Sequence, residues 1–541
     1  MIFIKVKNPE EIQELVLSTD YSIKRIFSIV AHIAHGKTTT SDFLLKRAGL
    51  LRPEDAGHLQ AANFDEEEKA RRITIFTHVV LLAFDCQGTQ YIFQVNDTPG
   101  HISFTGEVSR ALRGSDGAIL VVDGLEGVMT QTETNIRLSV GEALCKPVLF
   151  VNKVDRLISE LRLEPGEVFS RVDKIMKEVN MLIEKNQPKE MDWRCDFASN
   201  QVCVGSAKDG WGFTYELLKE GGFTPTVVFE KYAEGNIEWL RENLPLDEAI
   251  LRMVVQHLPN PQEAMAYRIQ KIWPGGDYES EFGKCLSTSD PNGPLCGMIT
   301  KHIIDPKKGF RVTLIGRIFS GTLHAGEQIY LVNMKEKQRI KRLGVQELTD
   351  LLDMPAIPAG NLCSIDGFVC PAGETFISAD MIGREDLPTF EKISYVCQPV
   401  VSRSIMPIDP TDLAKLGDVT KKWMMADPSA SFHLNKEAGE YILSGVDLLQ
   451  LEVITKRINE QVEIKTSEPI IVYRERVMEQ SPEVYTKSSN GHNRIKMYIE
   501  PLDETVMALI RNGEITEQQD AKERGRVLKE KAGWDPKEGR K

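Results

Sequence analysis

No uninterrupted apolar run in the 541 residues is long enough to cross a bilayer, so a membrane protein is not expected. The first ten residues mix charge with short apolar pieces and lack the apolar core of a secretion signal. Cysteine is sparse and unpatterned, with nine residues scattered singly, no C-x-x-C pair and no metal-ligand spacing. That argues against a disulfide or zinc framework and for reduced, mostly buried thiols, as expected in the cytoplasm. Internal repeats and low-complexity tracts are missing too. Positive charge is in deficit: 66 Lys and Arg against 79 Asp and Glu leave a net charge of −13. A generic nucleic-acid coat would be basic, so the balance argues against that class. It does not exclude a ribosome binder, because local basic patches act where the average is acidic. Residues 335–342 and the Lys/Arg-rich tail after Lys522 are candidate patches, a solvated face being the plainer reading of each.

A chain of this length divides into several cores. Over residues 25–212, short apolar runs alternate with helical periods, the pattern of a mostly parallel α/β sheet. Strands are expected over 26–30, 91–95, 118–122 and 148–151. Val168, Val172, Ile175, Met176, Val179, Leu182 and Ile183 recur at helical spacing. Asp97, Asp123 and Asn152 then fall at strand C-terminal ends, where open α/β sheets bind ligands. A helix is expected over 245–257, with Pro245 at its start. Over 295–380 the texture changes to strands with Gly turns, which fits a β-barrel. Residues 391–463 read as a strand, a helix over 413–425, a strand, a Gly turn and a helix from 446, a compact α+β unit. A strand over 469–474 opens a fourth region.

Four short segments carry the chemistry, the first three of them after expected strands. Ala31-His32-Ile33-Ala34-His35-Gly36-Lys37-Thr38 lies between a strand and a helix, as a phosphate-binding P-loop must. Backbone N–H groups of the turn and the helix N-terminus face phosphate, and Thr39 continues the first helical turn. Lys37 reaches the β- and γ-phosphates and Thr38 holds Mg²⁺ through its hydroxyl. Ala31 occupies the place of the first glycine, so the general pattern is partly met. Asp97-Thr98-Pro99-Gly100-His101 supplies a carboxylate for the metal, a Gly100 N–H for the γ-phosphate, and His101 to orient an attacking water. Asn152-Lys153-Val154-Asp155 selects the base: Asp155 accepts from guanine N1 and N2, which adenine cannot supply. Asn152 holds N7 and ties the loops together, while the Lys153 stem covers the ring. Ser206-Ala207-Lys208 closes the pocket with a backbone N–H aimed at O6. One P-loop says phosphate; the ordered four say GTP, with GTP/GDP and Mg²⁺ as cofactors. In Arg71-Arg72-Ile73-Thr74, the Thr74 hydroxyl completes the Mg²⁺ shell in a switch loop, or is a strand-start threonine in the β-rich run 73–80.

With these motifs in place, the chain resembles the translation elongation factor 2 family of archaeal type, from about residue 22 to its end. Asp65-Glu66-Glu67-Glu68-Lys69-Ala70-Arg71-Arg72-Ile73-Thr74 is similar to the first switch of that family. Gly124-Leu125-Glu126-Gly127-Val128-Met129-Thr130-Gln131-Thr132-Glu133 and His257-Leu258-Pro259-Asn260-Pro261-Gln262-Glu263-Ala264 match as well. Pro469-Ile470-Ile471-Val472-Tyr473-Arg474-Glu475 and Asn490-Gly491-His492-Asn493-Arg494 carry the similarity into the last region.

The resemblance implies His101 as the catalytic residue, flanked by Ile33 and Ile73. Nucleotide would be held by His32, Ile33, Ala34, His35, Gly36, Lys37, Thr38, Thr39, Thr74, Asp97, Gly100, Asn152, Lys153, Asp155, Ser206, Ala207 and Lys208, and Mg²⁺ by Thr38, Thr74 and Asp97. The implied fold is multidomain α/β. It has a P-loop GTPase domain over 20–280 with an insertion after Gly212, a β-barrel domain over 290–385, a ferredoxin-like α+β domain over 391–466 and the start of a fourth domain over 467–541. The implied activity is GTP hydrolysis on the ribosome, driving movement of tRNA and mRNA. The partners are ribosomal RNA and ribosomal proteins, with no membrane, and a cytoplasmic monomer is expected.

Four departures stand out. Ala34 replaces an aspartate, and Arg72 replaces a glycine. Asp447-Leu448-Leu449-Gln450-Leu451-Glu452 departs from the Gly-Glu-Leu-His-Leu-Glu of the third domain. The chain stops at Lys541, partway through the region resembling domain four, which reads as a fragment or as a factor that cannot work at the decoding site in the usual way. The competing functions are therefore a GTP-dependent ribosome occupant that does not translocate and, further off, a paralogue that binds no nucleotide.

Overall fold

The computed structural model describes residues 9–51, 56, 66–71, 73–305, 311–347, 350–383, 387, 390, 393, 398–435, 440–471, 477–487, 494–511, 514–516 and 519–535. They divide into two compact units, Met1–Ile470 and Ile471–Lys541.

The first unit begins with a seven-stranded sheet: β1 (Lys24–Ala31), β2 (His78–Cys86), β3 (Thr89–Asp97), β4 (Gly117–Asp123), β5 (Lys146–Asn152), β6 (Val202–Ser206) and β7 (Trp211–Phe213), in the order β2-β3-β1-β4-β5-β6-β7. The inner pairs are parallel; β2 and β7 close the edges antiparallel. Every residue of β1 and β4 is buried, as continuous apolar runs require when helices cover both faces. The amphipathic helix Pro165–Asn186 is one cover, burying Val168, Val172, Ile175, Val179 and Ile183. Ala31, Asp97, Asn152 and Ser206 are each the last residue of a strand, so the four motif loops leave the same edge of the sheet, as does the loop after Asp123.

Two local expectations are corrected. The helix Leu246–His257 begins one residue later than expected, because Pro245 is its N-cap in extended conformation rather than its first helical residue. The run 73–80 is not a strand throughout: β2 starts at His78. The buried Glu68 carboxylate accepts the Ile75 and Phe76 N–H groups at 2.8 and 2.9 Å, taking the donors a strand would use.

Beyond the helices of 215–288, an eight-stranded antiparallel sheet spans Cys296–Asp305 to Thr375–Ser378, with a short ribbon of Thr322–His324 and Ala356–Pro358 beside it. Both sheets bury their apolar residues in one core, the packing of a barrel. The helix Pro9–Leu17, which no sequence signal marked, adds Ile12 and Val16 to that core. Next comes a β-α-β-β-α-β unit whose strands lie in the order Ser431–Asn435, Glu440–Gly445, Val401–Pro407, Ile464–Thr466, all antiparallel. Its helices are Leu413–Ala426 and Leu448–Asn459. This is the ferredoxin-like arrangement.

The second unit contains the hairpin of Val484–Lys487 with Arg494–Met497 and the helices Glu504–Arg511 and Ala521–Ala532, with Val506, Leu509, Ile515 and Leu528 buried. Arg72 and the His492 segment lie outside the described residues, as does the second half of the expected strand 469–474, of which Ile470–Ile471 is a strand. Among the described residues, no helix is long and apolar enough to cross a membrane.

Candidate functional site

The P-loop joins β1 to the helix Lys37–Arg47, with Gly36 as N-cap at φ +97°. Only glycine fits there: besides the left-handed backbone, a Cβ would lie 2.2 Å from Asn152 Nδ2. Ala34 also has positive φ, +59°, a conformation in which aspartate or asparagine is more at ease than alanine. The Lys37 ammonium folds back across the loop and donates to the Ala31 and His32 carbonyls at 3.3 and 3.1 Å. Burial lowers it to about 8, against the pull of Asp97.

Gly100 is pressed onto this loop. A Cβ on it would lie 2.3 Å from Lys37 Nζ and 3.2 Å from the Ile33 nitrogen. The Asp97–His101 turn therefore meets the P-loop through bare backbone, with His101 next in the chain. Thr38 and Thr74, 36 residues apart, bring their hydroxyl oxygens to 2.8 Å. The Asp97 carboxylate is fully buried and neither oxygen has a hydrogen-bond partner. Burial pushes it up to about 6, with His78 and Lys37 opposing. An orphaned buried carboxylate and a pair of hydroxyls are hard oxygen donors, which suits Mg²⁺.

On the base side, Asn152 connects three loops. Its Oδ1 accepts the Lys153 and Ala207 N–H groups, both at 2.8 Å, and its Nδ2 donates to the His35 carbonyl at 2.8 Å. The Ala207 N–H is thus committed within the protein instead of facing a ligand. Lys153, at φ +59°, pairs with Asp123 at 2.7 Å. Asp155 Oδ1 is buried without a partner, and burial raises the carboxyl. Ser206 Oγ accepts from the Asp209 N–H at 3.2 Å. Lys208 is exposed; Thr39, Ile33 and Ile73 are half-buried.

The His35 ring has a structural part. It is buried, its Nδ1 accepts from the Asp123 N–H at 3.2 Å, and its Nε2 lies 3.2 Å from Glu126. Burial drops it to about 4, so the ring is neutral and Nε2–H donates to Glu126. His32 meets it edge-on, ring centroids 5.0 Å apart.

Sequence reasoning missed how the ferredoxin-like unit grips the first switch and the segment just after His101. Glu67 pairs with Lys456, and Arg71 with Glu452 at 3.0 Å. Ile75, Phe104 and Val453 share a small core. His101 Nδ1 contacts the Ser103 hydroxyl, which reaches Asp447. The only prior sign was Asp447 itself, a departure from the family pattern.

The parallel sheet and its four converging loops define a guanine-nucleotide-binding P-loop protein. Residues 23–260 match the pattern described as "Elongation factor Tu GTP binding domain", and residues 396–468 match "Elongation Factor G, domain III". The chain is 41% identical over 516 residues to "Elongation factor 2" of Pyrobaculum islandicum, covering 94% of this chain and 69% of that one. To the protein of the same name from Aeropyrum pernix it is 42% identical over 549 residues, 99% of this chain and 73% of that one. The chain belongs to the elongation factor 2 family. It is a GTPase of the translational type, with GTP/GDP and Mg²⁺ as cofactors.

Proposed function

We propose that this chain hydrolyses GTP on the ribosome to drive tRNA–mRNA movement, with His101 holding the attacking water. The observation that carries the reading is the seating of Gly100 on Lys37 and the Ile33 nitrogen, which brings His101 to the phosphate-binding loop. Lys37 and the P-loop N–H groups hold the phosphates. Thr38, Thr74 and Asp97 hold Mg²⁺, which when bound neutralises charge on the β- and γ-phosphates. Asp155 reads the guanine edge, and Asn152 keeps the base and phosphate loops in one frame. The domains divide at 20–280, 290–385, 391–466 and 467–541.

Ribosomal RNA and proteins are the partners, and the chain works as a cytoplasmic monomer. The eight described cysteines are unbridged, which suits a reducing compartment.

The test is GTP turnover by the purified chain with and without ribosomes. Ribosomes should stimulate turnover, and His101→Ala should remove that stimulation by about 100-fold or more. Equal turnover by His101→Ala would overturn the role of the histidine. Tight GTP binding without stimulation would favour a ribosome occupant that does not translocate.

A further inference from the structure

Asp447 is the N-cap of the helix Leu448–Asn459, its Oδ1 accepting from the Gln450 N–H at 2.9 Å. Its second oxygen, Oδ2, accepts the hydroxyl of Ser103, two residues past His101. An ionised carboxylate only accepts, so the single Ser103 hydroxyl proton is directed to Asp447. Ser103 Oγ then presents only lone pairs to His101 Nδ1, and the contact between them requires the proton on Nδ1. The neutral ring is left with its lone pair on Nε2. The Ser103 backbone N–H, 3.2 Å from Nδ1, favours the opposite tautomer. It is a longer bond from a neutral donor, whereas the chain ending at Asp447 is charge-assisted. His101 and Asp447 are 27% and 31% exposed and 3.8 Å apart, so solvent screens their direct attraction and the hydroxyl link carries the effect.

We propose that Asp447, a residue of the ferredoxin-like unit, is a positioning residue for His101: acting through Ser103, it fixes the Nδ1–H tautomer and leaves Nε2 to accept a hydrogen bond from the attacking water. This rests on the reading of His101 given above. The link also ties the histidine to docking of the ferredoxin-like unit, since Asp447 is held beside Ser103 by the packing of Val453 against Phe104 and Ile75.

The sharpest variant is Asp447→Asn. With its oxygen still capping the Gln450 N–H, the amide NH₂ faces Ser103 Oγ as a donor and turns the hydroxyl toward Nδ1. The helix cap survives and the tautomer reverses. The full chain labelled with ¹⁵N-histidine is followed by NMR at a pH where the ring is neutral, with His101→Ala assigning the signal. The expected result is Nδ1–H in the unaltered chain and Nε2–H in Asp447→Asn. Ribosome-stimulated kcat should fall about 10-fold or more, with KM for GTP within about twofold. Ser103→Ala combined with Asp447→Asn should be no worse than either alone. An unchanged tautomer in Asp447→Asn, or additive losses in the double variant, would overturn the proposal. If His101→Ala turns over GTP normally, the water-orienting reading fails, while the NMR result still judges the link to Asp447.

Discussion

At the residue scale, the chemistry turns on groups whose burial leaves them wanting a ligand. Asp155 and Asp97 carry carboxylate oxygens shut away from water with no hydrogen-bond partner, a cost the fold sustains only where something else supplies the hydrogen bonds or charge. For Asp155 the complement is a pair of N–H donors on one edge of a purine. Asp155→Asn puts a donor where guanine N1–H or N2–H also donates. GTP affinity should fall about 100-fold or more, and xanthosine triphosphate, which carries an oxygen at C2, should lose much less. Competition binding with the two nucleotides measures this; equal losses would mean that Asp155 does not read the base. Both aspartates were legible in the sequence because each lies in a short run of fixed order at a strand end. Their orphaned state was not, since burial depends on residues distant in the chain.

At the element scale, the loops act as a set because Asn152 binds them to one another. Removing its amide leaves the Lys153 and Ala207 N–H groups and the His35 carbonyl short of partners, each costing about 1–3 kcal/mol if water cannot replace the bond. In Asn152→Ala, GTP and GDP affinities should drop together by about 100-fold, with faster hydrogen exchange over 205–209. Slow exchange with normal affinity would show that the loops hold without it. The strands β1, β4 and β5 were readable from sequence because burial on both faces leaves an unbroken apolar run. The stretch 73–77 was not, because a side chain seven residues upstream, Glu68, takes its backbone donors. The helix Pro9–Leu17 was missed for a related reason: its two buried residues, Ile12 and Val16, are too few to write a clear period.

At the scale of the whole first unit, a buried ionic triad joins the nucleotide-binding sheet to the barrel. Asp116, just before β4, pairs with Arg268 at 2.8 Å and with Arg317 of the barrel strand Arg311–Ser320 at 2.9 Å, all three side chains fully buried. Breaking such a group by removing its only acid strands two cations in a dry interface, a loss of about 3–5 kcal/mol. Asp116→Asn should therefore lower the thermal midpoint and split unfolding into separate transitions for the two parts, as seen by calorimetry. One undivided transition at the original midpoint would show that the triad does not couple them.

The sequence by itself determined the ligand class. The P-loop, the Asp97–His101 turn and the two base-reading segments are contiguous residues acting largely through local backbone and adjacent side chains, so their order along the chain carries the information. Only the tertiary structure decided how those parts are held. The Thr38–Thr74 pair forms when the sheet brings the P-loop and the 73–77 segment together, and the ion pairs of Glu67 and Arg71 and the Ser103–Asp447 hydrogen bond across 344 residues arise from docking of separately folded parts. Docking follows the shape and charge of whole surfaces, and no short segment of the chain encodes it.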